Sequence, residues 1–180
     1  ALAGCGKKEA TLKFGLGVVA NYGEAKATAG EFNTTAVAVL LDAENKIVAI
    51  DLDSAQIKAG WTSEGKVIAT EDFRTKYELG KEYGMSKTGK KEWNEQADAF
   101  KATVVGKTLD EVKAMMGEDT YAKGDLAAAG CTISVGEFID ALEKAVANAV
   151  ESDATAKNTL NLAIVSSATN KDATEDAEGS

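Results

Sequence analysis

The sequence predicts an α+β domain, an antiparallel sheet of about four to five strands with helices packed on one face. Three observations carry this. Alternating apolar runs crowd the first 70 positions, and a two-residue period marks strands. From residue 75 to 150 the apolar period becomes that of helices, with capping residues ahead of two of the runs. Strands followed by helices, rather than interleaved with them, build an antiparallel sheet with helices to one side.

Residues 11–22 alternate Leu12, Phe14, Leu16 and Val18 with Lys13, Gly15 and Gly17, which reads as a strand. Residues 24–33 are small and polar and read as a loop. Residues 34–41 and 46–52 are β-rich runs separated by Asp42, Ala43, Glu44 and Asn45, a hairpin signal. A strand over 66–70 follows the Ser63-Glu64-Gly65 turn. Residues 75–83 suit one or two helical turns stopped by Gly84. Over 91–105, Trp93, Ala97, Phe100 and Val104 recur at helical spacing, ended by Gly106. Thr108 and Glu111 form a capping box that opens a short helix through Met116. Residues 117–133 read as loop. Ser134 and Glu137 form another box, and Phe138, Ile139, Leu142, Ala145, Val146 and Ala149 give the apolar face of a helix over 135–150.

Residues 160–165 read as a C-terminal strand, part of a segment 159–170 whose first ten residues echo 11–20. Leu160, Leu162 and Ile164 match Leu12, Phe14 and Leu16. The echo is either the start of a second copy of the domain or the alternation that any two strands share. The chain thus divides into residues 1–10, a domain over 11–170, and an acidic tail over 171–180 that reads as disordered.

Composition narrows the function. At 180 residues the chain fits one domain with a real core. A net charge of −9 with no basic block argues against nucleic acid. The chain has no histidine, which removes the commonest general base and metal ligand and excludes Ser-His-Asp or Cys-His catalysis. Two cysteines cannot form a zinc cluster, no calcium-loop spacing occurs, and no metal site is expected. Gly106-Lys107-Thr108 imitates the end of a phosphate-binding loop, but Lys101 stands where its first glycine belongs. Asp51 and Asp53 alternate along a strand and read as a solvated face.

Two segments suggest a specific role. Leu2-Ala3-Gly4-Cys5, followed by Lys7 and Lys8, resembles a bacterial lipobox, in which the cysteine becomes the lipidated first residue of the mature protein. That implies a tether on the outer side of a membrane through Cys5. The other segment is 124–137, a small-residue loop running through Gly130, Cys131 and Thr132 into the capping box at Ser134. Gly130 permits close backbone approach, and free N–H groups at a helix start favour an anion such as phosphate.

Gly130-Cys131-Thr132-Ile133-Ser134 resembles the motif of FMN-binding domains that carry covalent flavin, as in the flavin-carrying lipoproteins of Gram-positive extracellular electron transfer. Asp125-Leu126 and Thr132-Ile133-Ser134-Val135-Gly136 fit the repeats of those lipoproteins, with a gap from Asp125 to Thr132 one residue longer. Cys131 stands where alanine is usual. The likeness covers roughly residues 11–150, including Asp42–Ile47, Ile50–Asp53, Thr75-Lys76, Glu78–Gly80, Tyr83–Met85, Glu92-Trp93, Glu95-Gln96 and Val105–Thr108.

The resemblance implies that a flavin transferase joins the FMN phosphate to Thr132 by a phosphodiester bond. It places Asp125, Gly130, Cys131 and Ser134 in the attachment motif. Lys76 is then expected at the N1/O2 edge of the flavin, where a cation favours the anionic reduced form. Tyr83, Met85 and Trp93 are expected to stack on or wall in the ring, with the core as their other reading, and Leu79 and Gly80 to let it pack against backbone. The implied function is an electron carrier at the cell surface, needing no catalytic residue. Its partners are the transferase, a membrane electron donor, and an extracellular acceptor or reductase. A non-redox surface lipoprotein without cofactor is the second reading, and an enzyme using noncovalent flavin the third.

Overall fold

The computed structural model describes residues 9–23 and 26–172. The lipobox with Cys5 and most of the acidic tail lie outside these residues. A five-stranded antiparallel sheet runs in the order β4-β3-β2-β1-β5, where β1 is Lys13–Tyr22, β2 Ala29–Leu41, β3 Ile47–Trp61, β4 Val67–Ile68 and β5 Val150–Glu151. The helices are α1 (Lys76–Leu79), α2 (Trp93–Val104), α3 (Leu109–Lys113), α4 (Asp125–Ala128) and α5 (Gly136–Ala147). The α+β architecture read from the sequence is the one observed.

The strands are longer than apolar periodicity indicates. Residues 29–33, read as loop, begin β2, and β3 continues to Trp61. Polar side chains hold these extensions together. Gln56 Nε2 donates to Glu31 Oε1 at 2.8 Å, and Thr35 and Ser54 share a buried hydroxyl contact at 2.7 Å. Cross-strand polar pairs stabilise a sheet without leaving an apolar pattern.

In β1 the glycines meet the helices. Gly15 and Gly17 pair with Val39 and Val37, which are fully buried in the core. A methyl group on Gly15 would stand 1.9 Å from the Ala145 carbonyl oxygen, and one on Gly17 2.0 Å from that of Ala141. Helix α5 therefore rests backbone against backbone on β1, which only glycine permits. Phe14, Leu16 and Val18 point to the other face and stay partly exposed. The core itself joins Val37, Val39, Leu41, Ile47 and Leu52 of the sheet to Phe100, Val104, Phe138, Ile139 and Leu142 of the helices.

The expected C-terminal strand over 159–170 forms no ladder. Its alternation survives as burial, with Leu160, Leu162 and Ile164 half-buried. It is held instead by backbone-to-side-chain bonds: Leu162 N donates to Asp51 Oδ2 at 2.8 Å, and Thr70 N to Asn170 Oδ1 at 3.4 Å. The aspartates of β3 are not a solvated face either. Asp53 is 8% exposed and its carboxyl is pushed up by burial, while Asp51 pairs with Lys101 at 3.2 Å. Among the described residues no helix is long and apolar enough to cross a membrane.

Candidate functional site

The loop around Thr132 is built by α4, a short helix inside the stretch 117–133 where the sequence predicts loop. Gly130 N donates to the Ala127 carbonyl and Cys131 N to the Leu126 carbonyl, both at 3.0 Å. With Gly130 at φ +96°, this is a Schellman closure of the one-turn helix. Its apolar contact is the buried pair Leu126 and Cys131. Gly130 is thus needed for its backbone conformation. Cys131 belongs to the core, where burial pushes its thiol up and leaves it a poor nucleophile.

From Cys131 the chain alternates. Cys131, Ile133 and Val135 are buried, and Thr132 and Ser134 are exposed. This two-residue period presents the Thr132 side chain to solvent. It also corrects the second capping box. Helix α5 begins at Gly136 with Val135 as its N-cap and no side-chain cap bond, so Thr132 stands three residues before the cap. Ser134 lies in the extended segment and shares a 2.7 Å hydroxyl contact with Thr120. Glu137 instead accepts from Asn21 Nδ2 at 2.6 Å and from Thr35 Oγ1 at 2.9 Å, tying α5 to the sheet.

The nearest partner of Thr132 is on α2, not at the start of α5. Thr132 N and Oγ1 both donate to Gln96 Oε1, at 2.8 and 3.1 Å. Gln96 is fully buried, and its Nε2 donates to the Lys91 carbonyl at 2.9 Å. The Lys91 side chain crosses Gly130 so closely that a methyl there would stand 2.4 Å from Nζ. A cation therefore lies against Gly130, two positions before Thr132 in the chain. Neither Gln96 nor Lys91 was expected at the site. The signal for Gln96 was present, because a glutamine inside the apolar stripe of Trp93, Ala97, Phe100 and Val104 must find a buried partner.

Three of the residues expected around a ring come together at the N-terminal end of α2. Lys76 Nζ stands 5.1 Å from the centre of the Tyr83 ring and 5.5 Å from that of Trp93. Trp93 is 4% exposed and packs edge-on against Tyr77 and Phe138, at 5.3 and 5.6 Å between ring centres, so it is a core residue. Tyr83 is partly buried and, with Leu79, lines a cleft of about 370 Å³ between β3 and the turn after α1. Gln56, Lys58, Asp72, Arg74 and Glu82 complete its polar wall. Gly80, at φ +48°, caps α1 beside the cleft. Asp125 stands apart as an exposed residue of α4 whose ion-pair partner is Lys107 at 3.6 Å.

Met85 is held at the same end of α2 by Glu92. The buried carboxylate of Glu92 accepts from Met85 N at 3.0 Å, from Ser86 N at 3.1 Å and from the Ser86 hydroxyl. The Ser86 hydroxyl above all, then these N–H groups, hold its carboxyl below the usual glutamate range. A lowered folded value means that the stabilisation is complete above the ordinary pKa and is lost as pH falls through the lower one. The amide resonances of Met85 and Ser86 should therefore titrate with a midpoint below the ordinary glutamate value. A midpoint at or above that value would contradict the arrangement.

Comparison of the chain with models of protein families, with curated proteins and with solved structures gives no match.

Proposed function

We propose that the protein is an exported flavoprotein electron carrier, with FMN attached to Thr132 through a phosphodiester and a lipid tether at Cys5. The observation that carries this reading is the presentation of Thr132. Thr132 is an exposed residue between buried neighbours, and a lysine ammonium lies against Gly130 of the same loop. The motif resemblance gives that presentation a chemical purpose.

The residues present fit such a group. Thr132 supplies the attachment oxygen and Lys91 a cation for the phosphodiester. Gln96 links Thr132 to α2, whose first turn carries Trp93 under the Lys76 ammonium. Tyr83 and Leu79 line a cleft whose size is within the range of small-molecule sites. Bound FMN supplies reversible electron uptake, and the chain supplies attachment, packing and charge. Lys76 places a positive charge beside Tyr83 and Trp93. No general acid or base is required, which suits a chain without histidine. Electrons arrive from a membrane donor and leave to an extracellular acceptor or reductase, partners that rest on the resemblance.

Co-expression with a flavin transferase, followed by intact mass measurement, tests this reading. The mass should rise by one FMN less one water, and Thr132→Ala should abolish the gain. An unmodified wild-type chain, or an unchanged gain in Thr132→Ala, would overturn the proposal.

A further inference from the structure

We propose that Gln96 is the positioning residue for modification of Thr132, an inference that rests on the attachment reading above. The side-chain amide of Gln96 is fixed from both ends. Its Nε2 donates to the Lys91 carbonyl at 2.9 Å, so the oxygen must be the atom that faces Thr132. That oxygen receives two donors, the Thr132 backbone N–H at 2.8 Å and the hydroxyl at 3.1 Å. The hydroxyl hydrogen is thereby directed inward to a fully buried acceptor. The lone pairs of Oγ1 are left to face solvent, where a transferase brings its substrate.

In the modification, Oγ1 attacks the flavin-side phosphorus of FAD. The Oγ1–P bond forms, the phosphoanhydride bond breaks, and AMP leaves with the bonding electron pair. The hydroxyl proton passes to a base of the transferase or to water, since an amide is no base, and no electrons are exchanged. The product oxygen no longer donates to Gln96. The buried amide oxygen is not orphaned, because the Thr132 N–H still donates to it. An acceptor served by two donors tolerates the loss of one. The same Lys91 whose carbonyl anchors Gln96 carries the ammonium that lies against Gly130, two positions before Thr132.

The test follows FMN transfer by intact mass, with purified transferase and FAD, for the wild type, Gln96→Met and Gln96→Glu. Methionine keeps the buried volume and removes the acceptor. Its kcat should fall at least about tenfold with KM for the acceptor protein little changed, since misplacing a reacting atom costs rate rather than binding. Protonated glutamate keeps both an acceptor for Thr132 and a donor for the Lys91 carbonyl, so it should recover most of that rate as the pH is lowered. A second measurement does not depend on modification: in the unmodified wild type, hydrogen exchange at the Thr132 amide should be slow. Wild-type kcat in Gln96→Met, a change in KM alone, no recovery in Gln96→Glu as the pH is lowered, or a Thr132 amide exchanging like open chain would each overturn the proposal. If Gln96→Met fails to fold, the glutamate variant and the amide decide. An unmodified wild type would instead overturn the attachment reading itself.

Discussion

Replacing Gly17 by alanine is expected to destabilise the protein by about 3 kcal/mol, the upper part of the range for overpacking a core. The added methyl would stand 2.0 Å from the Ala141 carbonyl oxygen and 2.4 Å from the Ala145 nitrogen. Both are backbone atoms of a helix, so no side chain can turn aside. Helix α5 must lift from β1, and the layer that seats Ala141, Leu142 and Ala145 then loosens. For a chain of this size the loss corresponds to roughly 10 °C in Tm. Urea unfolding should show a lower midpoint at an unchanged slope. Leu16→Ala, one residue away, is the control. Leu16 is 42% exposed on the opposite face, and its truncation should cost only about 1 kcal/mol. If the leucine truncation costs more than the added methyl, the assignment of faces in β1 is wrong.

That contrast also marks how far the sequence is legible. The alternation in residues 11–22 states that Phe14, Leu16 and Val18 share a face, and the strand is there. It does not state which face meets the helices, because period two is symmetric between them. The answer lies in a helix more than 100 residues later, whose alanines let it descend onto two glycines. The capping boxes make the same point. The box at Thr108 and Glu111 forms as its spacing suggests. The identical pattern at Ser134 and Glu137 does not, because Thr120 and the sheet residues Asn21 and Thr35 take both side chains. A local pattern describes an available bond, and tertiary partners compete for it.

The candidate site was legible to a similar depth. The resemblance singles out Thr132, and the structure leaves it exposed between buried neighbours. It also groups Lys76, Tyr83 and Trp93 around a ring, and these three side chains stand together. What it could not give is Gln96, 36 residues away in sequence and joined to Thr132 only by the packing of α2 against the loop. Nor could it separate Trp93 as a buried core residue from Tyr83 at a cleft, since both lie near the same helix end.

Gly130→Val is expected to remove about 2 kcal/mol of stability and to slow FMN transfer by more than about tenfold, two effects with one origin. At φ +96° a β-branched residue is strained, so the Schellman closure opens and the bonds to the Ala127 and Leu126 carbonyls are lost together. Cys131 is then no longer held against Leu126. Because Cys131, Ile133 and Val135 point inward by strict alternation, a slip of one residue would carry Thr132 toward the core and expose its neighbours. The valine would also displace the Lys91 ammonium, which lies where its Cβ must go. Gly130→Asn should lose less, since asparagine tolerates positive φ better than any β-branched residue. Urea midpoints and a mass time course on the same samples separate the two effects. If Gly130→Val is destabilised yet modified at the wild-type rate, the closure of α4 does not orient Thr132, and the hydrogen bonds from Gln96 must do so alone.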